Sequence, residues 1–180
     1  MLKFLCAAVC VASLQIGTAA AEGRAHAPLQ PWYEGPLSGF ALDDLSGVRH
    51  DVAAQRGKVV LVHFFATWCE PCIPELTSIR TLVAETDPAA LSVLAVDVGE
   101  VDVRVRRFLE KLPVNFPVLL DRDRAVTKAW NVYALPTTYV FDSKLQPRLV
   151  ATGDVDWTDP AIVKQIQELT PNRFKQEEKS

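Results

Sequence analysis

The chain has 180 residues, enough for one ordinary domain with short appendages, and its 49% hydrophobic and 23% charged composition excludes an intrinsically disordered protein. A formal charge of −3 argues against a nucleic-acid or anionic-membrane surface.

Residues 1–21 carry one charge, Lys3, followed by an apolar stretch from Phe4 to Ile16 and then Ala19-Ala20-Ala21, the small-residue pattern of a cleavage site. This reads as a secretory signal peptide. An uncleaved membrane anchor is the alternative, since residues 2–21 come close to the length of a bilayer span, but Ser13, Gln15, Gly17 and Thr18 interrupt it. Cys10 follows Val9, which does not suit a lipid-attachment site. Cleavage after Ala21 removes Cys6 and Cys10 and leaves Cys69 and Cys72 as the one possible disulfide, in a compartment where disulfides persist. Residues 22–36, rich in Ala, Pro and Gly, read as a linker, residues 37–170 as the folded domain, and 171–180 as a polar, flexible tail.

Within the domain, Phe40 and Leu42 alternate with small or polar neighbours before the turn signal Asp43-Asp44-Leu45-Ser46-Gly47, which predicts a short hairpin and then a helical turn over 51–55. Gly57 introduces a continuous apolar run, residues 59–65, of buried-strand type. A helix follows over 73–85, then an apolar strand over 91–98. Val101, Val105, Phe108, Leu109 and Leu112 recur at helical spacing. Beyond them come a strand over 116–120, a short helix over 124–130, two strands over 137–141 and 148–152 around a turn at 143–146, and a helix over 159–169 with Asp159 as its cap and Pro160 at its first position. This order predicts an α/β domain whose central mixed sheet is parallel at first, ends in an antiparallel pair, and carries helices on both faces.

The chemistry concentrates in Trp68-Cys69-Glu70-Pro71-Cys72. Two thiols one turn apart, between a buried strand and a helix N-terminus, suit thiol-disulfide exchange, because the free N–H groups of a helix end favour a thiolate. Cys69, at the more exposed position, is the candidate nucleophile, and Cys72 would resolve the mixed disulfide. Pro71 fits the first helical turn, where no N–H is needed. Pro74 is tolerated there too or bends the helix slightly. Trp68 is expected to shield one side of the pair. Glu70, solvated between the cysteines, opposes thiolate formation and moves the couple toward reducing power. A Cys-x-x-Cys pair is also half of a zinc site, but His26, His50 and His63 are scattered and no second pair exists after cleavage. No metal or organic cofactor is therefore expected, the disulfide itself being the redox group.

Three separated segments, the cysteine motif, Val98-Gly99-Glu100 and Leu135-Pro136-Thr137-Thr138, carry a resemblance over about residues 37–169. The chain resembles the thioredoxin superfamily and, within it, the TlpA/ResA-like extracytoplasmic thiol-disulfide reductases. That resemblance implies a thioredoxin-like fold with an N-terminal β-hairpin extension and a cis bond before Pro136, facing the cysteines. It makes Glu100 the preferred acid-base residue, with Asp97 a weaker candidate and a plain helix-start role the alternative. Thioredoxin has a buried aspartate six residues before its first cysteine, where this chain has His63, and a neutral base, a charged partner and a packed core residue all remain open for it. Gly153-Asp154-Val155-Asp156-Trp157 looks like one branch of the family, and capping and packing account for it.

Implied by the same resemblance is a monomeric periplasmic enzyme that reduces specific protein disulfides, in cytochrome c biogenesis on apocytochrome c or on copper-delivery proteins for cytochrome oxidase. A membrane dithiol donor of DsbD or CcdA type would recharge it. A disulfide oxidant or isomerase is the alternative, against which Glu70 counts. A Cu(I)-binding chaperone is another, although no methionine beyond Met1 is present to add a soft ligand. The single-cysteine Pro and Thr motif of peroxiredoxins is absent.

Overall fold

The run Val59–Phe65 is buried at all seven positions, so it must lie in the middle of a sheet with both faces covered. It does. A computed structural model describes residues 26–170. The signal-peptide reading of 1–21, the first residues of the expected linker and the tail 171–180 lie outside the described residues.

In chain order the elements are β1 (Gln30–Pro31), β2 (Ala41–Asp43), β3 (Arg49–Asp51), a 3-10 turn (Val52–Gln55), β4 (Val59–Phe65), α1 (Cys72–Glu85), β5 (Leu91–Val98), α2 (Asp102–Lys111), β6 (Val118–Asp121), α3 (Ala125–Ala129), β7 (Thr137–Phe141), β8 (Pro147–Thr152) and α4 (Pro160–Leu169). The main sheet runs β1-β8-β7-β4-β5-β6, and β2 and β3 form a separate hairpin. β4 pairs parallel with β5 and antiparallel with β7. Parallel pairing thus comes first and the antiparallel pair last, as the element order predicts.

Alternation along β4 divides the core. Val60, Val62 and Phe64 pack with Phe40, Val52, Trp130 and Tyr139, which places the hairpin, the 3-10 turn and α3 on one face. On the other face Val59 and Leu61 meet Ile79 and Leu82 of α1 and Ile166 of α4. Phe65 packs there with both cysteines, Leu76 and Val105, and Phe108 and Leu109 of α2 close the cluster.

Two boundaries correct the sequence expectations. Much of the segment expected as a linker is part of the fold: Leu29 is buried, Gln30–Pro31 pair antiparallel with β8, and Trp32 stacks edge-on against Tyr139 at 5.3 Å. Without this strand β8 would be an open edge, and covering it is a tertiary demand that leaves no period in a two-residue strand. The third strand after the hairpin starts at Val118 rather than 116, because Pro117 cannot donate to a ladder. No described helix is long and apolar enough to cross a membrane.

Candidate active site

The carboxyl end of β4 runs into a tight turn that carries the cysteines. Cys69 N–H bonds to the Ala66 carbonyl at 3.1 Å and Cys72 N–H to the Cys69 carbonyl at 3.1 Å, and α1 begins at Cys72 with Pro71 as its cap. Cys69 therefore stands just before the helix rather than in its first turn. The two sulfurs are joined in a disulfide with a Cα–Cα distance of 5.4 Å. Cys69 keeps 4% of its surface exposed and Cys72 none. Around them lie Phe65, Ala66, Leu76, Ala95, Val105, Val118 and Leu120, an apolar setting that disfavours a charged thiolate.

The Leu135–Pro136 bond is cis, and Leu135 packs against this cysteine cluster, which brings the Pro136 turn to the disulfide. Trp68 stands 66% exposed beside the pair in sequence, as a contact surface. Glu70 is exposed and Pro71 half-buried.

Glu100 reaches the site from the loop after β5. Its Oε2 accepts the Thr67 backbone N–H and its Oε1 the Thr67 hydroxyl at 2.8 Å, so it anchors the turn that leads into Trp68 and Cys69. Arg104 approaches the same carboxylate at 3.5 Å. Behind it, Asp97 Oδ1 accepts the Glu100 backbone N–H at 3.1 Å. Burial, with the Glu100 side chain adding to it, pushes Asp97 up to about 8. Between them Gly99 has φ +73°, and its missing side chain leaves room for Arg124, whose Cγ would lie 2.8 Å from a Cβ there.

His63 is fully buried, its ring stacked on Phe65 at 6.1 Å. Burial lowers it to about 3, so the ring is neutral. Nδ1 lies 2.9 Å from Thr138 Oγ1 and 3.5 Å from Glu75 Oε1.

Glu75 is the residue that the sequence reading missed. It follows Cys72 by one turn on α1, is only 1% exposed, and burial pushes it up to about 8. Trp157 Nε1–H at 2.8 Å and the Thr138 hydroxyl at 3.1 Å donate to its Oε1 and pull the other way. A signal existed: Cys72, Leu76, Ile79 and Leu82 form the buried stripe of α1, and Glu75 falls within it as its one carboxylate. Trp157, assigned from sequence to packing, is in fact also a hydrogen-bond donor to this acid.

His26 lies 3.5 Å from Asp154, His50 2.8 Å from Asp44, and His63 beside Thr138, so the three histidines occupy three separate places. Among the described residues no group of three or more His, Cys, Asp or Glu is placed to hold a metal ion. The arrangement can exchange a disulfide. An incoming thiolate that attacks Cys69 releases Cys72 as a buried thiolate one turn from a protonated carboxyl.

Residues 35–146 match the AhpC/TSA family. Thiol-disulfide oxidoreductase ResA of Geobacillus kaustophilus is 34% identical over 132 residues, covering 73% of this chain and 75% of the relative. ResA of Bacillus subtilis is 37% identical over 114 residues, covering 63% and 64%. A Chlorobium tepidum structure described as thiol:disulfide interchange protein DsbE superposes with a TM-score of 0.69 over 75% of this chain and 96% of that one; at 24% identity it shows the shared thioredoxin-like fold. With a Cys69–Cys72 disulfide at the place where that fold carries its chemistry, the chain belongs to the AhpC/TSA family as a thiol-disulfide oxidoreductase of ResA type.

Proposed function

We propose that the enzyme works as a reductant of specific protein disulfides in the periplasm, reached by means of the N-terminal signal segment. The observation that carries this reading is the surroundings of the cysteines: an apolar cluster, a buried acid one turn away in Glu75, and the carboxylate of Glu70 between them. Each disfavours a thiolate, and a dithiol without thiolate stabilisation gives up its electrons readily.

In the forward reaction Cys69 attacks a client disulfide and one client sulfur leaves. Recharging opens the Cys69–Cys72 bond, and the released Cys72 thiolate takes the Glu75 proton. In the dithiol state Cys72 S–H therefore passes that proton back to the Glu75 carboxylate and attacks the Cys69 sulfur, and the second client sulfur departs as the Cys69–Cys72 bond forms. The client gains two electrons and the enzyme dithiol loses them. A membrane dithiol carrier of DsbD or CcdA type restores the dithiol. Apocytochrome c, with paired cysteines, and copper-delivery proteins are the proposed clients, met by a monomer through the exposed Trp68. Glu100 serves this scheme by holding Thr67, and thereby the cysteine turn, in place.

The test is capture of the mixed disulfide. Cys72→Ser should retain client proteins through Cys69 in the periplasm, whereas Cys69→Ser should retain little. Equal adducts from the two variants would overturn the division of roles.

A further inference from the structure

The exchange scheme leaves His63 without a task, although the ring sits at the head of a buried hydrogen-bond chain. His63 of β4 and Thr138 of β7 are register partners, and Nδ1 is 2.9 Å from Thr138 Oγ1. The directions of the chain follow from which atoms can donate. Trp157 Nε1–H is a donor only, so Glu75 Oε1 accepts from it, at 2.8 Å. The Thr138 hydroxyl also gives its single proton to Oε1, at 3.1 Å. Thr138 Oγ1 is then an acceptor toward the ring, and Nδ1 must carry hydrogen. His63 Nε2 has no hydrogen-bond partner, and a bare lone pair there is less costly than a buried orphan N–H. The chain thus runs from ring to hydroxyl to carboxyl. It fills Oε1 with two donors and leaves Oε2 with no hydrogen bond of good geometry, the backbone N–H of Val155 being the further donor near the carboxyl.

We propose that His63 is a positioning residue for proton transfer: as the Nδ1–H tautomer it holds the Thr138 hydroxyl on Glu75 Oε1 and so reserves Oε2 as the atom that takes the proton from Cys72. This rests on the reading of Glu75 as the proton partner of Cys72. When Cys72 attacks the mixed disulfide, its S–H proton moves to Oε2, the Cys69–Cys72 bond forms, and the bond from Cys69 to the client sulfur breaks.

The ring can hold this role because it stays neutral, burial lowering it to about 3. Around Glu75, β7 supplies the Thr138 hydroxyl, β4 the His63 ring, and the segment after β8 the Trp157 and Val155 N–H groups, all uncharged. Asp154 in that segment opposes ionisation, and His26 and Asp156 line the same cleft of about 370 Å³. Every donor onto Oε1 favours the carboxylate. The ring N–H occupies the Thr138 oxygen and so fixes the hydroxyl proton on Oε1; without it the hydroxyl is free to turn away, and the Glu75 midpoint moves upward.

The test combines ¹⁵N spectra of the His63 ring, a ¹³C titration of the Glu75 carboxyl and the pH profile of exchange, in the full-length protein. The ring should show hydrogen on Nδ1. His63→Leu should raise the Glu75 midpoint and the matching limb of the rate profile by about one pH unit, the size expected for one lost hydrogen bond. His63→Asn, whose amide nitrogen can stand where Nδ1 does, should return both toward the parent values. Thr138→Val cuts the same chain by a different substitution, so it serves should His63→Leu fail to fold, and adding His63→Leu to it should shift the midpoint no further. Hydrogen on Nε2, or an unmoved midpoint in either variant, overturns the assignment. A midpoint that moves without the rate profile instead overturns the proton role of Glu75, and with it that of His63.

Discussion

Glu75 and His63 are two ionisable side chains taken out of water in their neutral forms, and each ties stability to pH in its own sense. Glu75 titrates near 8 when folded against an ordinary 4.5, so between those values the folded state holds a proton that the unfolded state has lost. Stability therefore falls as pH rises from about 4.5 to about 8 and levels off above. Asp97, raised to about 8 from 3.8, acts in the same direction. His63 is the converse: lowered to about 3 from 6.5, it costs stability as pH falls through that window, because the unfolded chain takes up a proton that the folded one refuses. Glu75→Gln should flatten part of the loss between pH 5 and pH 9 in denaturant titrations, the remainder belonging to Asp97. Curves for variant and parent that stay parallel would show that Glu75 is not held neutral. The same substitution removes the proton acceptor of Cys72 and should slow resolution of a mixed disulfide by about a hundredfold in stopped-flow exchange.

The site is assembled by elements that deliver one group each. α1 brings Cys72 and Glu75 on one face, β7 brings Thr138, the segment before α4 brings Trp157, and the loop after β5 brings Glu100 to the turn before Cys69. The last of these is mechanical. Glu100→Gln keeps an acceptor for one Thr67 donor but loses the charge that strengthens both bonds, and should cost about 1–2 kcal/mol in a denaturant titration while leaving the Cys69–Cys72 pairing intact. A change in the pH profile of exchange without loss of stability would instead make Glu100 an acid-base residue, the alternative that the sequence favours.

At the scale of the whole molecule, what was legible in the sequence is what local pattern determines. β5 and β7 occupy the predicted residues 91–98 and 137–141, because strands covered on both faces are written as predominantly apolar or β-branched runs, which Ser92 and Asp97 of β5 do not interrupt enough to hide. The cysteine motif and the Pro136 turn were legible for a related reason: each is a short segment with its own chemistry. β1 was not, since two residues at the end of an Ala- and Pro-rich stretch are strand only because β8 needs a neighbour. Glu75 was hidden in another way. A glutamate in the first turn of a helix is ordinary, and its burial depends on Thr138 and Trp157, more than sixty residues away in sequence, as the separations of 63 and 82 show.

The claim that organises all of this is that the surroundings of Cys69 and Cys72 make the protein an electron donor. The equilibrium reduction potential of that couple, measured against glutathione or dithiothreitol at pH 7, tests it most directly. A value near or below the approximately −270 mV of thioredoxin is the predicted result, and one approaching the approximately −120 mV of DsbA would contradict it, because the thiolate would then be stabilised and the protein would oxidise its clients.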